Sequence, residues 1–361
     1  MLVQKSKLET ARQAWHPREM AAKYNDDRMK ILCYAILAPN PHNTQAWKIH
    51  LENTNEIYLY VDPDHLLPMT DPTIRQIHMG QGTFLEVLSI AAKEFGYQPE
   101  IELFAKGIDP VEKIGKSPVA KITLNKTHVT KDELFDQIPV RVVNRRSYTG
   151  PPLTRDESSQ LEKSHDAEYP LVFITDKEKI NRMADLMSEA MKIETYVDRT
   201  HKETVEMLRF NDDEVIKYRD GFNFENMGIT GFRKSFIELV TSRDAALGRF
   251  FRRTTVNSFR KMAHTAQAIG LIFSEENSRN HHVEVGRQYA RVQLTATKLG
   301  LAMHPMMQLT QEYEELAEVR EKFLEEIKPY EGILQMIFRV GRAESTPHSA
   351  RRQLESFLFE L

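Results

Sequence analysis

A stretch around residue 82 is written twice in this chain of 361 residues. Gly82, Leu88, Ile90, Ala92, Phe95 and Gly96 match Gly286, Val292, Leu294, Ala296, Leu299 and Gly300, every pair 204 positions apart without a gap. The apolar spacing is that of a helix with one buried face. The first glycine suits a close approach of backbones, and the second a helix end in the left-handed conformation. Chance likeness between two amphipathic helices stays open on these residues alone. If the repeat is real, the chain holds two equivalent helices and two related halves.

A second organised stretch runs from Ala38 to Trp47. Ile31 to Ala38 form a helix-like apolar stripe that Pro39 and Pro41 stop. Trp47, Ile49 and Leu51 then alternate with Lys48 and His50, the period of a half-buried strand. A polar turn, Asn40 to Gln45, therefore guards a strand's entrance. Ile57, Leu59 and Val61 predict the return strand of a hairpin. Asp71, Pro72 and Thr73 predict the start of the first repeated helix, which ends at about Phe95.

The remaining elements are predicted as helices over 5–38, strands near 100–104 and 119–124, a link over 125–137, helices over 154–165 and 177–191, and strands at 171–175 and 269–273. Residues 192 to 262 have no counterpart in the first half and mix Phe222, Phe224, Phe232, Phe236, Phe250, Phe251 and Phe259 with Arg243, Arg249, Arg252, Arg253 and Arg260. Aromatics among basic residues suit single-stranded nucleic acid, but a net charge of −3 argues against that partner. Gly115, Lys116 and Ser117 do not form a phosphate loop, because Pro110 stands where a glycine is required. Gly80 and Gly82 lack the third glycine of a dinucleotide fingerprint. His281, His282 and Glu284 are not read as a metal site, since adjacent helical residues point about 100° apart. The single cysteine, Cys33, lies in an apolar helix and reads as a packed residue. With no apolar leader and no run of about 18 apolar residues, a soluble cytoplasmic protein without a membrane partner is expected.

Pro41, His42, Asn43, Thr44 and Gln45 before Trp47 resemble the flavin-contacting turn of the FMN-dependent nitroreductase family, with Ala46 in place of the usual proline. The Pro-His-Asn-Thr-Gln wording is similar to the Acg-like branch, whose long chains hold two nitroreductase-like halves. Three further stretches are similar to family motifs. Arg145, Arg146 and Ser147 resemble the element that holds the FMN phosphate, although Thr149 stands where the family has a basic residue. Pro305, Met306, Met307 and Gln308 follow a Leu-Gly step as the family's ring-lining passage does, with Met307 and Gln308 replacing the usual Glu-Gly. Arg351 and Arg352 resemble the C-terminal basic residues near the phosphate. A solvated basic turn and an ordinary surface tail remain the plain readings of the two arginine pairs.

The resemblance implies an α+β fold of three layers, α/β/α, with mostly antiparallel sheets flanked by helices and two halves forming an intramolecular pseudo-dimer. It implies halves of 1–130 and 131–361 and a lid-like insertion over about 192–262. It implies one FMN per chain, held by Pro41, His42, Asn43, Gln45, Arg145, Arg146, Ser147, Pro305, Met306, Met307, Gln308, Arg351 and Arg352, with NADH or NADPH as reductant and a nitroaromatic or quinone as acceptor. A monomer suffices for that site, and further association is allowed. The flavin carries the redox chemistry, so no catalytic side chain and no metal is assigned. The alternatives are a protein that holds flavin under a lid with little turnover, and a stress-related structural protein without cofactor.

Overall fold

A computed structural model describes residues 7–164, 166 and 168–360. The helix expectations that touched residues 5, 6 and 165 lie outside them. The chain opens on a 3-10 stretch, Lys7–Trp15, followed by α1 (Pro17–Ala21) and α2 (Asp27–Ala35). The one or two helices expected over 5–38 are three shorter pieces, because Pro17 starts a new helix and Asp26 caps the next, its carboxylate accepting from the Arg28 amide at 2.8 Å.

The hairpin forms as expected, β1 (Trp47–Glu52) on β2 (Glu56–Val61), with Trp47 opposite Val61. α3 (Arg75–Glu94) follows, then β3 (Tyr97–Leu103) and β4 (Ala120–Lys126). The helix starts later than Asp71 because Ile74 holds a left-handed φ of 55°. The Asp71 carboxylate still caps it, accepting from the Ile77 amide at 2.9 Å. Gly96 ends the helix at φ 82°.

The second half carries α4 (Arg155–Glu162), opened by a Thr154–Glu157 capping box, then β5 (Leu171–Ile174) and α5 (Lys177–Tyr196). α6 (Asp198–Glu206), β6 (Leu208–Arg209), α7 (Asp212–Tyr218), β7 (Phe222–Asn223), α8 (Gly231–Val240), α9 (Arg243–Ala246) and α10 (Arg249–Ala263) come next. β8 (Ala268–Ser274), α11 (Arg279–Lys298), β9 (Ala302–Pro305), α12 (Ala317–Glu326) and β10 (Ile333–Gly341) complete it.

The fold is α+β, with two antiparallel four-stranded sheets flanked by helices. Their strand orders are β1-β2-β4-β3 and β5-β8-β10-β9. Taken in sequence, each reads first, second, fourth, third, and each places its 20-residue helix between the second and third strand. The helix bounds are themselves 204 residues apart. The two helices cross where they are both glycine. A Cβ on Gly82 would stand 1.8 Å from the Val283 carbonyl oxygen, and one on Gly286 2.1 Å from that of Met79. Val283 and Met79 are also 204 apart, so the contact is reciprocal in the way of a two-fold interface. Glu86 secures it, accepting from Arg287 at 3.1 Å and Arg291 at 2.8 Å.

This topology relocates the insertion. The first half joins its first two strands by residues 53–55, whereas the second spends 175–267 on the same connection. The stretch expected as one lid is thus divided. α5 and α10 pack on the second sheet, with Phe259, Met262 and Ala263 in that core. Only the middle forms a separate cluster, around Val205, Leu208, Phe210, Phe224 and Ala246.

Two extended segments cross between sheets. Residues 142–144 lie along β9, the Asn144 amide donating to the Met303 carbonyl at 3.0 Å. The C-terminal tail reaches the other edge, the Phe359 amide donating to Ile49 at 3.1 Å. Both pass the polar turn at residue 40.

Candidate cofactor-binding cleft

Four pieces of chain distant in sequence meet at that turn. The cleft is lined by Pro39, Asn40, His42 and Asn43 from the turn, Arg141 to Val143 and Arg145 from the edge segment, Gly221, Phe222 and Asn226 from the insertion, and Pro347 to Ser349 and Arg351 from the tail, with Trp15 at one side. It encloses about 50 Å³, room for a few water-sized groups.

The turn is held in an unusual backbone conformation. His42, Asn43 and Gln45 have φ of 46°, 56° and 52°. Asparagine tolerates this region, but histidine and glutamine enter it at a cost of order 1 kcal/mol. What holds Gln45 there is a full set of partners. Its amide donates to Asn40 Oδ1 at 2.8 Å, and its side-chain nitrogen donates to the carbonyls of Asn43 at 3.2 Å and Arg219 at 2.8 Å. Its Oε1 accepts from the Arg352 amide at 2.9 Å. Gln45 is 0% exposed and ties insertion and tail to the turn, so it does not face the cleft as expected.

His42 and Asn43 do face it. His42 Nδ1 and Asn43 Oδ1 are buried and have no hydrogen-bond partner among the described residues. Asn43 Nδ2 donates to the Ala350 carbonyl at 3.0 Å, and its own carbonyl accepts from the Gly221 amide at 3.2 Å. Burial, with the Arg145 charge second, holds the His42 imidazole down at about 4, so it is neutral. Pro41 sits beneath, its ring against Gly80, where a Cβ would lie 3.1 Å from Pro41 Cδ.

The charge of the cleft is set by arginines. Arg145 lies over the Phe222 ring, 5.7 Å from its centroid, and has no hydrogen bond or ion pair among the described residues. Arg141 donates to the Leu37 carbonyl and Arg351 to the Ala38 carbonyl at 3.0 Å. Both guanidinium groups lie 5.3 Å from the Trp15 ring, whose indole is stacked on His348 at 4.0 Å. Among the described residues none of the three arginines meets a carboxylate. Burial pulls Arg141 down to about 10, and burial with the Arg141 charge pulls Arg351 well below its ordinary value. Buried cations without counter-charge are costly, and an anion in the cleft relieves that cost.

The other expected residues lie elsewhere. Arg146 turns to Glu344 at 3.2 Å, and Ser147 is exposed. Arg352 lies 3.7 Å from Asp62 and covers Phe357. Pro305 pairs with Phe338 in the sheet, and Met306 and Met307 are packed into the two cores of that half. Gln308 lies beside the buried Glu194 carboxyl. None of these seven lines the cleft: the chain bends at Arg146, and Met307 and Gln308 lie in a 3-10 turn, Met307–Thr310, beyond the end of β9. Arg141, Asn40, Trp15, His348, Phe222 and Asn226 were not foreseen as cleft residues. Arg141 carried a signal, a second arginine four residues before Arg145, whereas His348 and Asn226 carried none.

No family model matches the chain. It is 24% identical over 336 residues to a Mycobacterium tuberculosis H37Rv protein provisionally named an NAD(P)H nitroreductase, covering 90% of this chain and 88% of that one. It is 25% identical over 285 residues to the protein of the same organism provisionally named NAD(P)H nitroreductase acg, covering 77% and 78%. Among solved structures, an FMN-dependent nitroreductase from Mycobacterium smegmatis in complex with NADPH aligns at TM-score 0.36 and 14% identity, over 58% of this chain and 86% of that one. A BluB-like flavoprotein from Clostridium difficile 630 aligns at TM-score 0.37 and 14% identity, over 64% and 99%. The two sequence relatives align with 90% and 77% of this chain. The chain is thus similar to proteins named as NAD(P)H nitroreductases, the Acg protein among them.

Proposed function

We propose that the chain is an FMN-binding oxidoreductase that takes electrons from NADH or NADPH and passes them to a small acceptor of nitroaromatic or quinone type. The observation that carries this reading is the set of cleft arginines without counter-charge, beside the unpartnered His42 and Asn43 atoms. Guanidinium groups match phosphate oxygens with charge-assisted hydrogen bonds. Arg145 is the one whose donors are not already used. The names of the relatives point the same way.

FMN, when bound, supplies the hydride and electron chemistry. The chain's part is to hold and orient it: Arg145, Arg141 and Arg351 attract the phosphate, and the strained turn presents His42 and Asn43 at a fixed angle. The donor set fits a phosphate. The space does not admit a tricyclic ring while Phe222 stands between His42 and Arg145, 5.5 Å from the imidazole. Entry of the ring therefore requires the 219–226 segment to move, which supports reading the middle of the insertion as a lid.

The repeated topology and the reciprocal glycines support halves of 1–130 and 131–361 that act as a built-in dimer. Each half contributes to the cleft, and the tail delivers Arg351. The test is titration of the purified protein with FMN, followed by mixing with NADH or NADPH under anaerobic conditions. Saturable binding at one FMN per chain and bleaching of the flavin band support the reading. Absence of binding rejects it, and binding without bleaching leaves a flavin-holding protein.

A further inference from the structure

Helix α8 carries an apolar face that nothing in the described structure covers. Phe232, Phe236, Leu239 and Val240 recur at the spacing of one helix side and are all exposed, Phe232 at 86% and Leu239 at 83%. Phe250, at the start of α10, is 84% exposed. The opposite side of each helix is anchored: Ile237 and Phe251 pack on the insertion's small cluster. Lys234 points inward to Asp212 at 2.6 Å and Glu225 at 3.2 Å.

Charge around this face is segregated. Residues 231–261 hold eight Lys or Arg against two Asp or Glu, and of the eight Lys234, Arg243, Arg252 and Arg260 are paired with carboxylates outside that stretch. Arg233, Arg249 and Arg253 are exposed and, among the described residues, have no ion pair. A two-fold contact between copies of the chain through this face would bring the basic groups together, and is disfavoured. Side chains exposed to this degree stand out from the surface, whereas a folded partner offering a complementary pocket is only one way to bury them. A bilayer accepts protruding apolar groups without a preformed pocket, and anionic headgroups meet the arginines.

We infer that the α8 face with Phe250 is a docking surface for an anionic lipid bilayer, on which the protein rests peripherally. No helix among the described residues is long and apolar enough to cross a membrane, so the contact is with one leaflet. It departs from the expectation of no membrane partner and is independent of what the cleft holds.

The test is co-sedimentation of the full chain with vesicles of equal parts phosphatidylglycerol and phosphatidylcholine, beside vesicles of phosphatidylcholine alone. Binding to the anionic vesicles only, weakened by salt, is the expected result. Phe232→Ser with Leu239→Ser should weaken it about tenfold or more, and each of Arg249→Gln and Arg253→Gln about fivefold. Circular dichroism should show these variants folded as the parent is. No binding, equal binding to neutral vesicles, or binding unchanged in the folded Phe232→Ser, Leu239→Ser variant overturns the proposal. So does a concentration-dependent dimer in light scattering that the same variant abolishes, which would assign the face to a second copy.

Discussion

Arg145 leans on Phe222 and pairs with no carboxylate among the described residues, so its charge is held in place by the fold rather than by a partner. Removing it should weaken FMN binding by roughly tenfold to a hundredfold, the worth of one or two charge-assisted hydrogen bonds. The same Arg145→Ala change should leave the urea midpoint of the flavin-free protein unchanged or higher, because an uncompensated cation is lost. Fluorescence titration and denaturation read the two effects separately. Glu194 poses the opposite case. Its carboxyl is buried beside Gln308 and Gln311, and burial lifts it to about 7. Below the ordinary carboxylate range both folded and unfolded chains hold this proton. As pH rises toward 7 the unfolded chain releases it first, so folding stability falls by about 3 kcal/mol and then levels off. Glu194→Gln should abolish that decline, giving a larger rise in melting temperature at pH 8 than at pH 5. An equal rise at both values would show that Glu194 does not titrate in this window.

At the scale of elements, α3 and α11 touch through glycine where any side chain would strike backbone. Gly82→Ala should cost about 3 kcal/mol or more, since the carbonyl of Val283 cannot turn aside as a flexible side chain would. The gain in helix propensity, about 1 kcal/mol, does not offset it. Gly80→Ala is the contrast: its new methyl comes 3.1 Å from Pro41 Cδ and within ordinary contact of Asn40 Cβ at 3.5 Å, with no carbonyl in its way, and a smaller loss is expected. Urea midpoints of the two variants decide the order. β7 and the turn before it bring Phe222 against His42. If this segment opens to admit the flavin, Phe222→Ala should speed both FMN association and release in stopped-flow measurements. Rates equal to those of the parent would place the path of entry elsewhere.

Considered whole, the chain makes its cleft from both halves, and three connections draw them together: the crossing helices, the edge segment 141–145 and the tail. The tail passes the cleft at 347–351 and ends beside β1, in the sheet of the other half. One chain therefore holds all the groups assigned to the flavin. The expected stoichiometry is one FMN per chain, with flavin retained by dilute monomers in light scattering. Loss of flavin on dissociation of an obligate dimer would count against a site made within one chain.

The repeat of 204 residues determined much of the fold in advance, because glycine and apolar spacing are written locally and a helix reads them locally. The hairpin at 47–61 and the helix expected over 154–165 were legible for the same reason. The polar turn was legible as a turn, and His42, Asn43, Arg145 and Arg351 were picked out by resemblance. Which of their neighbours face the cleft was not legible, since Gln45 and Arg352 chose partners from segments hundreds of residues away. Arg146 and Ser147 part from Arg145 at a bend in the chain, and the register of the segment before it along β9 is a tertiary fact. Trp15, Phe222 and His348 reached the cleft because packing of the tail and insertion brought them there. Sequence thus determined the elements and the chemistry available to the site. Tertiary structure decided which groups were left without partners, and it is those that can hold a ligand.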